Sequence, residues 1–262
     1  GGKAIWVIAG DDTVIENVEL SGCTVPDRNG AGIRQEGRNL TVRGCYFHHN
    51  ENGILTNADS ASRILIERSE FADNGAGDGQ SHNLYIGHVG ELTLRHCYSH
   101  HARSGHLVKS RAAVNRILYN RLSNEADGTA SYELDLPNGG TSYVIGNLIH
   151  QGQATQNSNV MTFQVEGAHV ENPGTDLYVV NNTFVNDRTP GGTFVMVRSG
   201  LATPAVIRNN LFVGAGTVTN QANAVLDSNW AGADPLFVDR AAWDYSLQPG
   251  SPAIEQGAAP GT

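Results

Sequence analysis

Short stretches in which apolar and polar residues alternate recur along the whole chain. The first, at residues 14–20, reads V-I-E-N-V-E-L, and similar phrases follow at intervals of 23 to 35 residues. Alternation with a period of two residues is typical of a β-strand with one buried face. When the eight phrases are aligned, one position of each falls in a common column, which holds Val18, Cys45, Ser69, Cys97, Asn120, Asn147, Asn182 and Asn210.

A polar turn and a second short strand pattern follow most of these phrases, and a loop rich in Gly, Asn and Ser then leads to the next one. One such unit cannot bury its own apolar face, whereas units stacked about 4.8 Å apart bury it against their neighbours. We therefore predict an all-β, parallel β-helix solenoid of about eight coils. Residues 1–229 are expected to form the coils, and residues 230–262 a capping tail of the same domain. The first residues already have a strand pattern, so we expect other residues to precede them.

Three features carry a resemblance to a known family. They are the coil length, the phrases N-N-T-F at 181–184 and N-N-L-F at 209–212, and the tail D-P-L-F-V-D…D-Y-S-L-Q-P-G-S-P-A-I at 234–254. The chain resembles the right-handed parallel β-helix proteins of the pectate-lyase-like superfamily, among them bacterial β-helix repeat proteins. The resemblance implies a right-handed helix and a secreted, periplasmic or cell-surface protein. It selects no activity, because the fold hosts lyases, hydrolases, epimerases and adhesins.

The aligned column resembles the internal asparagine ladder of this fold, in which small polar groups hydrogen-bond from coil to coil. We expect the column from Cys45 to Asn210 to be buried. Cys45 and Cys97 lie two coils apart, which corresponds to roughly 9–10 Å and exceeds the reach of a disulfide. We therefore expect buried free thiols and no disulfide.

Composition and charge restrict the function. The apolar runs are all far shorter than the roughly 18 residues that a membrane span needs, and the net charge of −9 argues against nucleic-acid binding by counterion release. Residues 91–121 differ from the rest, because they hold six of the 17 basic residues and only one acid, Glu91. A basic segment in an acidic protein favours an anionic ligand. We expect a monomer that binds an acidic polysaccharide or oligosaccharide.

The second strands should stack into one outer face. If Ile86, Val108 and Leu134 point inward, their neighbours point outward and share a solvent-facing groove. The residues expected in this groove or on its rim are Tyr85, Lys109, Arg111, Glu133, Asp135 and Gln164, with His82, His101 and His106.

This set suits β-elimination of a uronic acid, which needs a cation to neutralise the carboxylate, a base and an acid. Lys109 is the candidate base, Arg111 the neutralising group and Tyr85 the donor to the leaving oxygen, with His82 or His106 as replacement bases. The pair Lys109-Ser110 resembles a motif of the alginate and chondroitin lyases of polysaccharide lyase family 6. The chain departs from that family one coil further along, where it has Glu133 and Asp135 in place of an arginine.

Several alternatives remain open at this stage. Glu133 and Asp135 could hold a calcium ion, serve as the two carboxylates of a glycoside hydrolase, or form a surface salt bridge with Lys109 worth under about 1 kcal/mol. The chain could also be a non-catalytic carbohydrate-binding or adhesive protein. A second candidate cluster, which could bind a transition metal, lies at equivalent turn positions of four coils, namely His49, Asp73, His101 and Asn124.

Overall fold

The computed structural model describes residues 2–166 and 172–259, and it is built of three parallel sheets of nine strands each. The first sheet consists of β1 (Ala4–Ile8), β4 (Ala31–Gln35), β7 (Asn52–Thr56), β10 (Leu84–Ile86), β13 (His106–Ser110), β16 (Tyr132–Leu136), β19 (Asn159–Phe163), β22 (Gly192–Val197) and β25 (Gly216–Thr219). The second consists of β2 (Thr13–Glu16), β5 (Leu40–Arg43), β8 (Arg63–Glu67), β11 (Glu91–Arg95), β14 (Val114–Leu118), β17 (Thr141–Ile145), β20 (Leu177–Val180), β23 (Val206–Arg208) and β26 (Val225–Asp227). The third consists of β3 (Glu19–Ser21), β6 (Tyr46–His48), β9 (Glu70–Ala72), β12 (Tyr98–His100), β15 (Arg121–Ser123), β18 (Leu148–Gln151), β21 (Thr183–Asn186), β24 (Leu211–Gly214) and β27 (Trp230–Gly232).

Each coil contributes one strand to every sheet, and each strand pairs with the corresponding strand of the next coil. This arrangement confirms the predicted all-β parallel solenoid of about eight coils. The repeat phrases form the second and third sheets, and the second strand pattern of each unit forms the first sheet. In the second and third sheets, β26 and β27 form a ninth copy that the alignment of eight phrases did not include.

The interior is filled by side chains that repeat from coil to coil. On the second sheet seven consecutive positions of one register column are apolar and fully buried, namely Val42, Ile66, Leu94, Ile117, Val144, Val179 and Ile207. On the third sheet, Phe47 stacks on Phe71 and Phe184 on Phe212, with ring centroids 5.0 and 5.1 Å apart. The alternation of apolar and polar residues in the repeat phrases therefore arises as predicted, because one face of each strand packs into the core.

The aligned column is buried and internally hydrogen-bonded, as predicted. The side-chain oxygen of Asn147 accepts from the backbone and side-chain nitrogens of Asn120, both at 2.9 Å, and Asn182 does the same for Asn147. Asn210 and then Asn229 continue the ladder with the same 2.9 Å bonds. All three cysteines are free, which confirms the prediction of no disulfide.

The C-terminal segment forms an antiparallel hairpin of β28 (Phe237–Asp239) and β29 (Asp244–Leu247), joined by a 3₁₀ turn at Arg240–Ala242. Phe237 packs with Val185 and Val213 in a small core of its own. The expected boundary between residues 229 and 230 falls inside the ninth coil. In the part of the chain that the structure describes, no helix has the length and apolar character needed to cross a membrane.

Candidate functional site

The outer face of the first sheet carries a single file of polar side chains across four coils. In the register of the sheet, Tyr85 pairs with Lys109, Lys109 with Asp135, and Asp135 with Thr162. Paired residues of a parallel ladder project from the same side of the sheet, about 4.8 Å from one coil to the next. The predicted neighbourhood of Lys109 and Asp135 is therefore confirmed.

Lys109 lies between two carboxylates. Its Nζ is 3.3 Å from Oδ2 of Asp135 and also forms an ion pair with Oε1 of Glu166. The side chains of Lys109 and Asp135 are only 9% and 4% exposed, so the predicted solvent-facing position of this pair is wrong. The hydroxyl of Thr162 donates to the other oxygen of Asp135. Burial alone would raise the pKa of Asp135, but the hydrogen bond and charge of His106 and the charge of Lys109 hold it below its ordinary value.

Arg111 has partners on three sides. Its Nε donates to the hydroxyl oxygen of Tyr85 at 3.1 Å, and its Nη1 donates to Oδ1 of Asn138 at 2.6 Å. Its Nη2 lies 2.6 Å from Oε2 of Glu166, the carboxylate that also contacts Lys109. Partial burial opposes the ionisation of Glu166, but the two cations overcome it and lower the pKa of the carboxyl.

Two histidines close the network on the other side of Asp135. The rings of His82 and His106 stack with centroids 4.4 Å apart, and the backbone N–H of His106 donates to Nδ1 of His82 at 2.9 Å. Nε2 of His106 lies 3.4 Å from Oδ2 of Asp135, whereas its Nδ1 is buried without a hydrogen-bond partner. Burial and the neighbouring cationic groups hold the pKa of His82 well below its ordinary value, so this ring is neutral. Both histidines are buried within the network on the outer side of the sheet, so their predicted position on an exposed rim is wrong.

An open cleft of about 420 Å³ adjoins this network on the same face. It is lined by Asn29, Arg34, Leu55, Thr56, Asn57, Ala58, Tyr85, Gly87, His88 and Arg111. Tyr85 and Arg111 belong both to the cleft and to the network. Among the described residues that line the cleft none is acidic, so its two arginines are suited to an anionic ligand.

Glu133 does not belong to this face, and its predicted outward position is wrong. Its side chain is fully buried, with Oε1 2.8 Å from Nδ2 of Asn124 and 3.4 Å from the hydroxyl of Thr155. Nε2 of Gln151 lies 3.4 Å from the other oxygen. Burial raises the pKa of Glu133 well above its ordinary value in spite of these hydrogen bonds. The carboxyl is therefore an internal polar group of the coil corner.

The error comes from a break in the alternation of β16. Tyr132 packs edge-on against the ring of His106, and Asp135 contacts Nε2 of the same ring, so both lie on the outer side. Two residues, Glu133 and Leu134, therefore point inward in succession. The prediction assumed that inward and outward residues alternate without a break, so an inward Leu134 implied an outward Glu133.

This geometry separates the two carboxylates that the calcium and hydrolase hypotheses combined. Asp135 faces Lys109 on the outer side, while Glu133 contacts only groups of the interior corner. The pair can neither flank a bound sugar nor share one ion at that face, so neither hypothesis retains its basis.

Other sequence-based candidates also lie elsewhere. Nε2 of His101 is 3.1 Å from Oδ1 of Asp127 and its Nδ1 is 2.6 Å from Nδ1 of His100, beyond the end of β12. Gln164 is buried, with both side-chain polar atoms unpartnered. Within the described residues, neither His101 nor Gln164 forms a hydrogen bond or ion pair with Lys109, Asp135 or Arg111.

The second candidate cluster is a set of turn positions. His49, Asp73 and His101 adopt the left-handed backbone region, with φ of 56°, 54° and 50°. Among residues 2–166 and 172–259, no three His, Cys, Asp or Glu side chains are grouped so that they could hold a metal ion. His49, Asp73 and His101 therefore share a turn conformation, whereas Asn124 does not and is buried, with its Nδ2 donating to Oε1 of Glu133.

Sequence reasoning missed Glu166, Asn138 and His88. The alternation that predicted Thr162 and Gln164 to point outward would have included Glu166 if continued by two residues, although Gln164 itself is buried. No comparable pattern marks Asn138 or His88, which precede or follow strands in loops whose course depends on the folded chain.

Comparison with known proteins gave one match. A family model described as a right handed beta helix region matches residues 1–149, which include Tyr85, Lys109, Arg111 and Asp135 but not Glu166. No curated protein and no solved structure matches the chain.

Proposed function

The chain belongs to the right-handed β-helix family, whose fold supports a carbohydrate-related or polysaccharide-active protein, and we propose that it cleaves an acidic, uronate-containing polysaccharide by β-elimination. The observation that carries the proposal is the contact between Tyr85 and Arg111 at the edge of an open cleft. In this contact the hydroxyl of Tyr85, which can transfer a proton, is hydrogen-bonded to the guanidinium of Arg111. Both side chains line the cleft, and none of the described residues that line it is acidic.

The cations would bind and acidify the substrate. A uronate carboxylate paired with Arg111 draws electron density from the adjacent carbon, which makes the proton on that carbon easier to remove. Arg34 lines the same cleft, and its guanidinium, whose Nε lies 3.2 Å from Oε1 of Glu36, would provide a second cation for a neighbouring acidic sugar. Lys109 is not assigned the role of base, because its Nζ already pairs with the carboxylates of Asp135 and Glu166.

Proton transfer is therefore assigned to Tyr85 instead of Lys109. Arg111 donates a hydrogen bond to the phenol oxygen, which fixes the position of the proton-transfer group, and Tyr85 in its phenolate form acts as the base. The phenolate takes the proton from C5, the electrons of that C–H bond form the C4=C5 double bond, and the C4–O bond breaks. The leaving oxygen then takes the proton from the phenol, which restores the starting state.

The test is the ultraviolet absorbance of an unsaturated uronate on a panel of alginate, polygalacturonate and chondroitin. Tyr85→Phe should lower the rate at least about 100-fold, as expected for loss of a positioned proton-transfer group. The matched control is Arg116→Gln, which removes an arginine on the second sheet, outside the cleft. Cleavage without a double bond, or full activity of Tyr85→Phe, would overturn the proposal.

A second candidate is a non-catalytic glycan-binding protein. It is favoured by the closure of the network, since the ion pairs and hydrogen bonds within it already engage Lys109, Asp135 and Arg111. In that case the uronate polymers would bind, and Arg111→Gln would weaken binding, while no unsaturated product would form with any of them.

A polymeric acidic substrate also fits the expected location outside the cytoplasm. Fractionation of the producing cells would test it, with the protein found in the medium, in the periplasm or on the surface.

A further inference from the structure

The carboxylate of Glu166 bridges the cationic side chains of Lys109 and Arg111. One oxygen pairs with Nζ of Lys109, and the other lies 2.6 Å from Nη2 of Arg111. We propose that Lys109 and Arg111 form a carboxylate-binding site that Glu166 fills in the free protein, and that the carboxylate of a uronic acid competes with Glu166 for it. The inference rests on the proposed function, because it names the subsite at which that substrate's carboxylate is held.

The site is built before any ligand arrives. Asn138 and Tyr85 accept hydrogen bonds from Nη1 and Nε of Arg111, so the plane of the guanidinium is fixed and Nη2 is left for a further acceptor. The ammonium group of Lys109 is positioned by its ion pair with Asp135. Two cations fixed in this way present donors to both oxygens of one carboxylate, which is the arrangement found in bidentate recognition.

Exposure distinguishes the site from its occupant. The side chains of Lys109 and Arg111 are 9% and 19% exposed, whereas that of Glu166 is 44% exposed. The cations thus belong to the folded face, and the carboxylate of Glu166 approaches them from the solvent side. Rotation of this one side chain would vacate the site, and an ion pair with so exposed a partner contributes little to stability.

The charge count favours replacement by another anion. Lys109 and Arg111 carry two positive charges, which Asp135 and Glu166 balance. Without Glu166 the group keeps a net charge of +1, and this excess favours a ligand carboxylate. While Glu166 is in place, the binding-competent population is reduced, and the apparent dissociation constant rises by the same factor.

The experiment measures binding of monomeric glucuronate by calorimetry at low ionic strength. Glu166→Ala should bind glucuronate at least about 10-fold more tightly than the natural sequence, while glucose gives no gain. The matched control is Glu91→Ala, which removes a glutamate paired with Arg116 on the second sheet and should leave the affinity unchanged. Adding Arg111→Gln to Glu166→Ala should abolish the gain.

Equal or weaker binding of glucuronate by Glu166→Ala would overturn the inference, as would an equal gain with glucose. The measurement needs no turnover, so its outcome is separable from that of the proposed function. Tighter binding without cleavage of any polymer would leave the carboxylate site in place and remove the lyase. If the protein cleaves a polymer but Glu166→Ala does not change glucuronate binding, the lyase proposal would stand and the carboxylate site would be rejected.

Discussion

Replacing Lys109 with methionine should destabilise the fold, although the residue stands on an outer face. The change leaves the carboxylate of Asp135, whose side chain is 4% exposed, without its ammonium partner. Breaking a buried ion pair by removing one partner costs about 3–5 kcal/mol. Asp135 keeps the hydroxyl of Thr162 and the contact with His106, so we expect a loss of about 2–3 kcal/mol.

The assay is a double-mutant cycle from urea unfolding curves of the natural sequence, Lys109→Met, Asp135→Asn and the double variant. Asn keeps the shape of Asp135 and removes its charge. The double variant should therefore be more stable than Lys109→Met alone, with a coupling energy of about 1.5–2.5 kcal/mol. A surface pair worth under about 1 kcal/mol, as the sequence suggested, would give nearly additive changes.

The same cycle has a pH signature. The pKa of Asp135 is lowered in the folded chain, so its contribution to stability is present above the unfolded pKa of about 3.9 and is lost as the pH falls through the lower folded value. This loss should be absent in Asp135→Asn. The reasoning would be refuted if the stability changes of Lys109→Met and Asp135→Asn added within about 0.5 kcal/mol and if the natural sequence and Asp135→Asn unfolded identically in acid.

Three further outcomes test the interior. Asn147→Ala should cost about 2–3 kcal/mol, because it leaves buried amide groups of the ladder unpaired, whereas Asn223→Ala at an exposed position should change the urea midpoint little. The pKa of Glu133 is raised by burial, so stability should decline as the pH rises from about 4.3 toward the folded value, and Glu133→Gln should flatten that profile. Burial raises the pKa of Cys97 to about 12, so mass mapping after treatment with a thiol reagent should find Cys23 modified in the native protein and Cys97 only after unfolding.

The outer site could be predicted only in part. The sequence placed Lys109 beside Asp135 correctly, since the strand patterns of successive repeats can be aligned although the loops between them differ in length. It misplaced Glu133, because two successive inward residues in β16 break the period of two on which the prediction relied. The network's histidines were predicted on the rim and are buried, because the stacking of His82 on His106 depends on how neighbouring coils pack.

The sequence by itself determined the coil, the ladder and the core. Each of these repeats the same interaction at every step, so one residue type recurs in one column and the pattern is visible in a single chain. Only the tertiary structure decided how the site is closed, because Glu166 lies 57 positions from Lys109 and reaches it across two coils. A contact made once, between a turn and a strand, leaves no periodic trace. Its partners are set by the path of the folded backbone and by the pairing of charges that burial brings together.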